Sequence, residues 1–265
     1  MKIAVYLDEV GETLTDSCDV LSRLNIHNVV LRQIWSDNIC NASDNACQKL
    51  KKLLLKYNFD VQMIASNLGN IESNKLLNIS DETIDRTIVI AQYFNAKFVR
   101  IFCGFKAQNN RVPHDLKAIK DWVQKLSDKF IGCGILPLIE ITNDSAIEHP
   151  SDIAEILSDN ALVGVLYDPA QLIIKKNQNP FIKYWPLLKN RTHGIDIHDF
   201  KIGHGFKPIG HGDAKLKETI TDAINSNYNG WLFIEPGLGR RLTVQSSKEE
   251  VFEANLQILY SFLNQ

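Results

Sequence analysis

Long hydrophobic runs are missing from this chain. No stretch of about 18 apolar residues occurs along its length, which argues against a membrane-spanning helix. The opening, Met1-Lys2-Ile3-Ala4-Val5-Tyr6-Leu7, meets Asp8-Glu9 too soon to serve as a secretory leader, so a cytoplasmic location is expected. Cysteine is sparse and unpatterned: Cys18, Cys40, Cys47, Cys103 and Cys133 are odd in number and lack close pairing. That disfavours a disulfide framework or a thiolate zinc site and predicts buried free thiols. An excess of one charge is lacking as well. With 29 basic side chains against 31 acidic ones the formal net charge is −2, and no block of like charge occurs. A nucleic-acid backbone or an anionic membrane finds no basic footprint here, so neither is an expected partner. With only 14 Gly and 8 Pro the chain is neither collagenous nor broadly disordered.

What is present is an alternation of short β-branched runs with longer amphipathic stretches, the pattern of a parallel sheet with helical crossovers. Eight strands are expected: Lys2–Leu7, Asn28–Gln33, Val61–Ser66, Phe98–Cys103, Leu136–Ile141, Val163–Tyr167, His193–Ile197 and Trp231–Ile234. Helices are expected over Asp81–Phe94, with Ser80 as its cap, and over Lys117–Ile131, Ser151–Ser158 and Lys248–Leu263. No linker or internal repeat interrupts the series. Eight strand and helix pairs in 265 residues fit an α/β fold of one kind, a single-domain (β/α)₈ TIM barrel spanning residues 1–265; a doubly wound open sheet usually has fewer strands.

Such barrels carry their chemistry at the C-terminal ends of the strands. Four apolar runs there end in acids: Leu138-Ile139-Glu140, Leu166-Tyr167-Asp168, Gly194-Ile195-Asp196 and Phe233-Ile234-Glu235. Alone, each acid reads as a solvated loop residue. Together, on strands five to eight, they converge on one arc of the rim, which is unfavourable unless a cation or proton compensates them. An all-oxygen set suits Mg²⁺ or Mn²⁺ better than a zinc site of sulfur and imidazole. Glu140, Asp168, Asp196 and Glu235 are thus the expected metal ligands.

These residues and their order resemble the xylose-isomerase-like barrels, which include sugar and sugar-phosphate isomerases and epimerases and an apurinic endonuclease branch. Leu138-Ile139-Glu140 resembles the family's strand-five Glu, Tyr167-Asp168-Pro169 its strand-six Asp, and Phe233-Ile234-Glu235 its strand-eight Glu. Pro208-Ile209-Gly210-His211-Gly212-Asp213 is similar to its Pro-x-Gly-x-Gly loop. Two positions depart from the pattern. Asp196-Ile197-His198-Asp199 stands where the family has His-x-Lys-Asp, and Gln171 stands where many members place His or Asn. Strand parity keeps Asp196 and His198 on one face and turns Asp199 to the other.

The resemblance implies a divalent-metal-dependent isomerase or epimerase of a small sugar, sugar phosphate or related polyol. Glu140 and Glu235 would be the catalytic proton carriers, working through an enediolate, and His198 and Gln171 would orient hydroxyls. Arg241, beside Arg240, is positioned to hold a phosphate or carboxylate. Arg32 and Asn67 sit on the rim without further distinction. Gly203-His204-Gly205 and Gly210-His211-Gly212 read as a mobile loop over the site. The changed strand-seven motif keeps a second reading open, a catalytically inactive barrel that binds a sugar or a protein partner. An apurinic endonuclease fits less well, because Asp196 and Gln171 stand where that branch uses His. A homo-oligomer is compatible with all three.

Overall fold

A computed structural model describes residues 1–106, 116–147, 149–176, 179–236 and 246–264. Eight parallel strands appear where eight are expected: β1 (Lys2–Tyr6), β2 (Asn28–Leu31), β3 (Asp60–Ile64), β4 (Phe98–Ile101), β5 (Leu136–Glu140), β6 (Gly164–Tyr167), β7 (Thr192–Ile197) and β8 (Trp231–Ile234). Each pairs with its neighbours in sequence, and β8 closes the barrel on β1, with Ala4 beside Phe233. The expected runs overshoot several strand ends by one or two residues. Residues past the ladder, such as Phe102 and Cys103, stay buried and so keep the apolar signature of a strand.

The helices follow their local signals. Ser80 Oγ accepts the Thr83 N–H at 3.3 Å and opens Asp81–Tyr93. A capping box of Ser247 and Glu250 opens Lys248–Leu263. No helix among the described residues is long and apolar enough to cross a membrane.

Period-two alternation divides the strands between two cores. Outward residues such as Val5, Val99, Ile139 and Ile195 pack under the helices, whereas Ala4, Val30, Met63, Leu138, Leu166 and Phe233 fill the barrel. Gly194 makes this filling possible, because a Cβ there would lie 2.3 Å from the Phe233 ring. Two residues further along the same inward faces the character changes. Leu138 gives way to Glu140, Gly194 to Asp196, and Phe233 to Glu235. The apolar layers thus form the floor on which a polar layer is held at the C-terminal end.

Two antiparallel ribbons extend this end. One pairs Gln33–Ile34 with Asp37–Asn38; the other pairs Asp199–Lys201 with Gly205–Lys207. In the second, part of the expected loop between Gly203 and Gly212 forms the strand Gly205–Lys207. The Asp199 carboxylate accepts the N–H groups of Phe200, Gly210, Gly212 and Ala214 at 2.9 to 3.1 Å and ties the segment to β7. Gly212 is required there, since a Cβ would lie 2.1 Å from Asp199 Oδ1. Burial pushes the Asp199 carboxyl up, and the four N–H groups oppose that shift.

Candidate active site

Glu140 ends β5, Asp168 follows β6, and Asp196 lies in β7; all three face inward and are buried. Each offers a carboxylate oxygen, and these oxygens lie within 4.8 Å of one another. Burial is the main cause that pushes Glu140 up to about 7, opposed by Arg100 and reinforced by Asp168 and Glu235. Burial first, then Glu140 and Asp168, push Asp196 well above the carboxylate range. Arg100 Nη1 stands 3.1 Å from Glu140 Oε2, yet that oxygen receives no directed hydrogen bond among the described residues. Three converging oxygen donors, one of them underused, fit a hard divalent cation.

The surroundings fix these groups in place. Tyr6 Oη donates to Asp196 at 3.1 and 3.3 Å. His198 Nε2 lies 2.9 and 2.8 Å from the two Asp168 oxygens, and its ring stacks on Phe206 of the second ribbon. Glu235 is not one of the three converging acids; its Oε1 accepts from Arg32 Nη1 at 2.8 Å. The same guanidinium bonds Asp8 and Glu9 and lies over the Tyr6 ring. Among the described residues six carboxylates (Asp8, Glu9, Glu140, Asp168, Asp196, Glu235) cluster here with Arg32, Arg100 and His198 as the basic groups paired with them. Protons offset part of this negative charge, as the raised Glu140 and Asp196 show, and a metal ion would offset it in their place.

The Xylose isomerase-like TIM barrel family matches residues 32–262 of the chain. The chain belongs to this family. Solved structures agree on the fold. The IolI protein with a bound zinc atom superposes with a TM-score of 0.77 at 14% identity, covering 100% of this chain and 98% of that one. A xylose isomerase-like TIM barrel protein of Mycobacterium smegmatis in complex with magnesium gives 0.72 at 15% identity, with 99% and 96% covered. The 3-keto-D-glucoside 4-epimerase of E. coli gives 0.72 at 15% identity, with 98% and 99% covered. No curated protein sequence matches the chain.

In this xylose isomerase-like barrel the expected site residues fall into four groups. Glu140, Asp168, Asp196 and His198 come together as described. Glu235 faces them from the Arg32 side. Gln171 lies beside them, its backbone N–H on Asp168 Oδ1 at 2.9 Å and its Oε1 accepting from the Asn143 N–H at 3.2 Å. Arg241 lies outside the described residues. Two members of the site were not singled out from the sequence, Tyr6 and Arg100. For Arg100 a signal exists, a charged residue inside the apolar run Phe98-Val99-Arg100-Ile101; Tyr6 carries none, since a tyrosine in a strand is ordinary.

Proposed function

We propose that this barrel is a divalent-metal-dependent isomerase or epimerase of a small sugar, sugar phosphate or related polyol. The observation that carries the reading is the buried convergence of Glu140, Asp168 and Asp196 at the C-terminal end of the barrel. These three residues would hold Mg²⁺ or Mn²⁺, and Glu235, whose Oε1 is on Arg32, would be the fourth acid beside them. When bound, such an ion supplies Lewis-acid polarisation of a carbonyl and its neighbouring hydroxyl. Glu140 removes the proton next to that carbonyl and Glu235 returns it, so that the substrate passes through an enediolate. His198, held by Asp168, and the amide of Gln171 orient hydroxyls. Magnesium and zinc in two similar barrels, and an epimerase of the same fold, support this reading. Five free cysteines support a reducing, cytoplasmic setting.

One observation favours the second reading, a barrel that binds without turnover: one of the two proton carriers, Glu235, is held by Arg32. A guanidinium at that distance weakens a carboxylate as a base. The two readings separate in one experiment, metal analysis of the purified protein followed by a screen of ketoses and ketose phosphates for proton exchange in deuterated solvent. The isomerase reading expects exchange, and a loss of roughly 10²- to 10⁴-fold in Glu140→Gln and in Glu235→Gln. A metal-loaded protein that exchanges none of them, or undiminished exchange in both variants, overturns it.

A further inference from the structure

Of the four tryptophans, Trp122, Trp185 and Trp231 are buried, whereas Trp35 is 60% exposed. It sits at the turn of the first ribbon, on the same face of the barrel as the acids, with a left-handed backbone (φ 54°). Turn positions of that kind usually carry Gly, Asn or Asp, and a bulky aromatic there is an outlier that local packing has to sustain. The side chain is not serving the core. It borders a cavity of about 430 Å³ that runs between the loop after β1 and the ribbon after β2. That size lies within the roughly 300–1,000 Å³ range of small-molecule sites.

The other walls mix hydrogen-bonding groups with Leu14 and Leu53. Gln33 and Thr15 are exposed beside Trp35, and Lys248, paired with Glu12 at 3.5 Å, closes one side. Asp8 forms the inner wall. Its Oδ2 is held by Arg32, but its Oδ1 is buried with no hydrogen-bond partner among the described residues. That oxygen has almost no accessible surface, so the groove's accessible hydrogen-bonding groups are those of Gln33, Thr15, Glu12 and Lys248. Trp35 thus offers an aromatic surface, Leu14 and Leu53 add apolar wall, and the polar residues present donors and acceptors, with Glu12 paired to Lys248 and Asp8 to Arg32. A charged ligand is not called for by such a set. A sugar ring is, since its C–H face stacks on an aromatic while its hydroxyls both donate and accept.

We infer that this groove is a binding site for a neutral saccharide ring, stacked on Trp35 and hydrogen-bonded to Gln33 and Thr15. It is separate from the acid triad but linked to it, because Arg32 joins Asp8 to Glu235. A ring seated here lies beside the barrel mouth, and the site stands whether or not the triad catalyses isomerisation.

Saturation-transfer NMR with methyl β-D-glucoside, methyl β-D-galactoside and cellobiose tests the inference on the intact chain. At least one of them is expected to show signal on its ring C–H protons and to shield wild-type tryptophan emission from acrylamide. Trp35→Ala should weaken binding about tenfold or more, with an unchanged melting temperature because the residue is exposed. Trp35→Phe should restore part of it. Asp168→Asn, which disables the triad, should leave it intact. A signal lost in Asp168→Asn but kept in Trp35→Ala puts the sugar in the barrel mouth and overturns the inference. So does the absence of signal from all three sugars. Trp35 emission that shifts with protein concentration alone would assign the face to a second copy of the chain and likewise overturn it.

Discussion

Arg100 Nη1 lies 3.1 Å from Glu140 Oε2, with both side chains more than nine-tenths buried. The pair spans β4 and β5 at the point where the barrel interior turns polar, and Arg100 also reaches the carbonyls of Ser66 and Ala65. It supplies positive charge at the triad before any metal does. Removing one partner of a buried ion pair leaves the other uncompensated, which costs about 3–5 kcal/mol. Arg100→Met should therefore lower the urea stability of the metal-free protein by that order. The double variant with Glu140→Gln should recover most of the loss. If the single variant is as stable as the parent, the pair carries no structural weight.

The proton balance of the triad sets a pH dependence. Burial and neighbouring carboxylates raise Glu140 to about 7, and raise Asp196 as well, above their values in the unfolded chain. Between the unfolded and folded values the native state then binds more protons than the unfolded one. Stability of the metal-free protein must fall as pH rises through that window. From about pH 4.5 to pH 7 the Glu140 contribution amounts to roughly 3 kcal/mol. Chelator-treated protein is thus expected to be more stable at pH 5 than at pH 8 in urea titrations. Excess Mn²⁺ should flatten or invert the trend, because metal binding favours the deprotonated carboxylates. A metal-free profile that rises toward pH 8 contradicts the assigned environment.

Tyr6 Oη is the donor that satisfies Asp196 from below. Tyr6→Phe removes it and leaves a buried acceptor short of a partner, a loss of about 1–3 kcal/mol. A cation at the triad takes over that role, so the destabilisation should shrink when Mn²⁺ is present. Parallel urea titrations with and without the ion measure the difference. An equal loss in both conditions would mean that Tyr6 acts by packing alone.

The barrel was legible because its signal is periodic. Eight apolar runs, alternating with helices, leave few other architectures, and acids end the last four runs at the C-terminal face of the barrel. Harder to read were pairings that depend on which inward residues share a level of the barrel. Tyr6 and Asp196 are far apart in sequence and meet only through barrel closure. Arg32 is separated from Glu235 in the same way, and its engagement with three acids sets Glu235 apart from the triad. The two ribbons are too short for alternation to show. The second is held by a side chain, Asp199, rather than by strand propensity.

Asp196 and Asp199 lie three residues apart in β7 and its continuation, and the structure gives them opposite tasks. Asp196 faces the triad, while Asp199 turns outward onto the backbone of the ribbon and accepts four N–H groups. A divalent ion bound to the native state raises the melting temperature by mass action, and the rise depends on the ligands that hold the ion. Mn²⁺ or Mg²⁺ should therefore stabilise the parent protein, and Asp196→Asn should blunt that rise by removing an anionic ligand. Asp199→Asn should behave differently. An amide replaces one accepting oxygen with a donor that faces backbone N–H groups, so basal stability should drop by about 1–3 kcal/mol while the metal-induced rise stays nearly unchanged. Melting curves of the two variants, each with and without the ion, separate ligand from latch. A metal response lost in Asp199→Asn but kept in Asp196→Asn would mean that the ion binds through the ribbon and not through the triad.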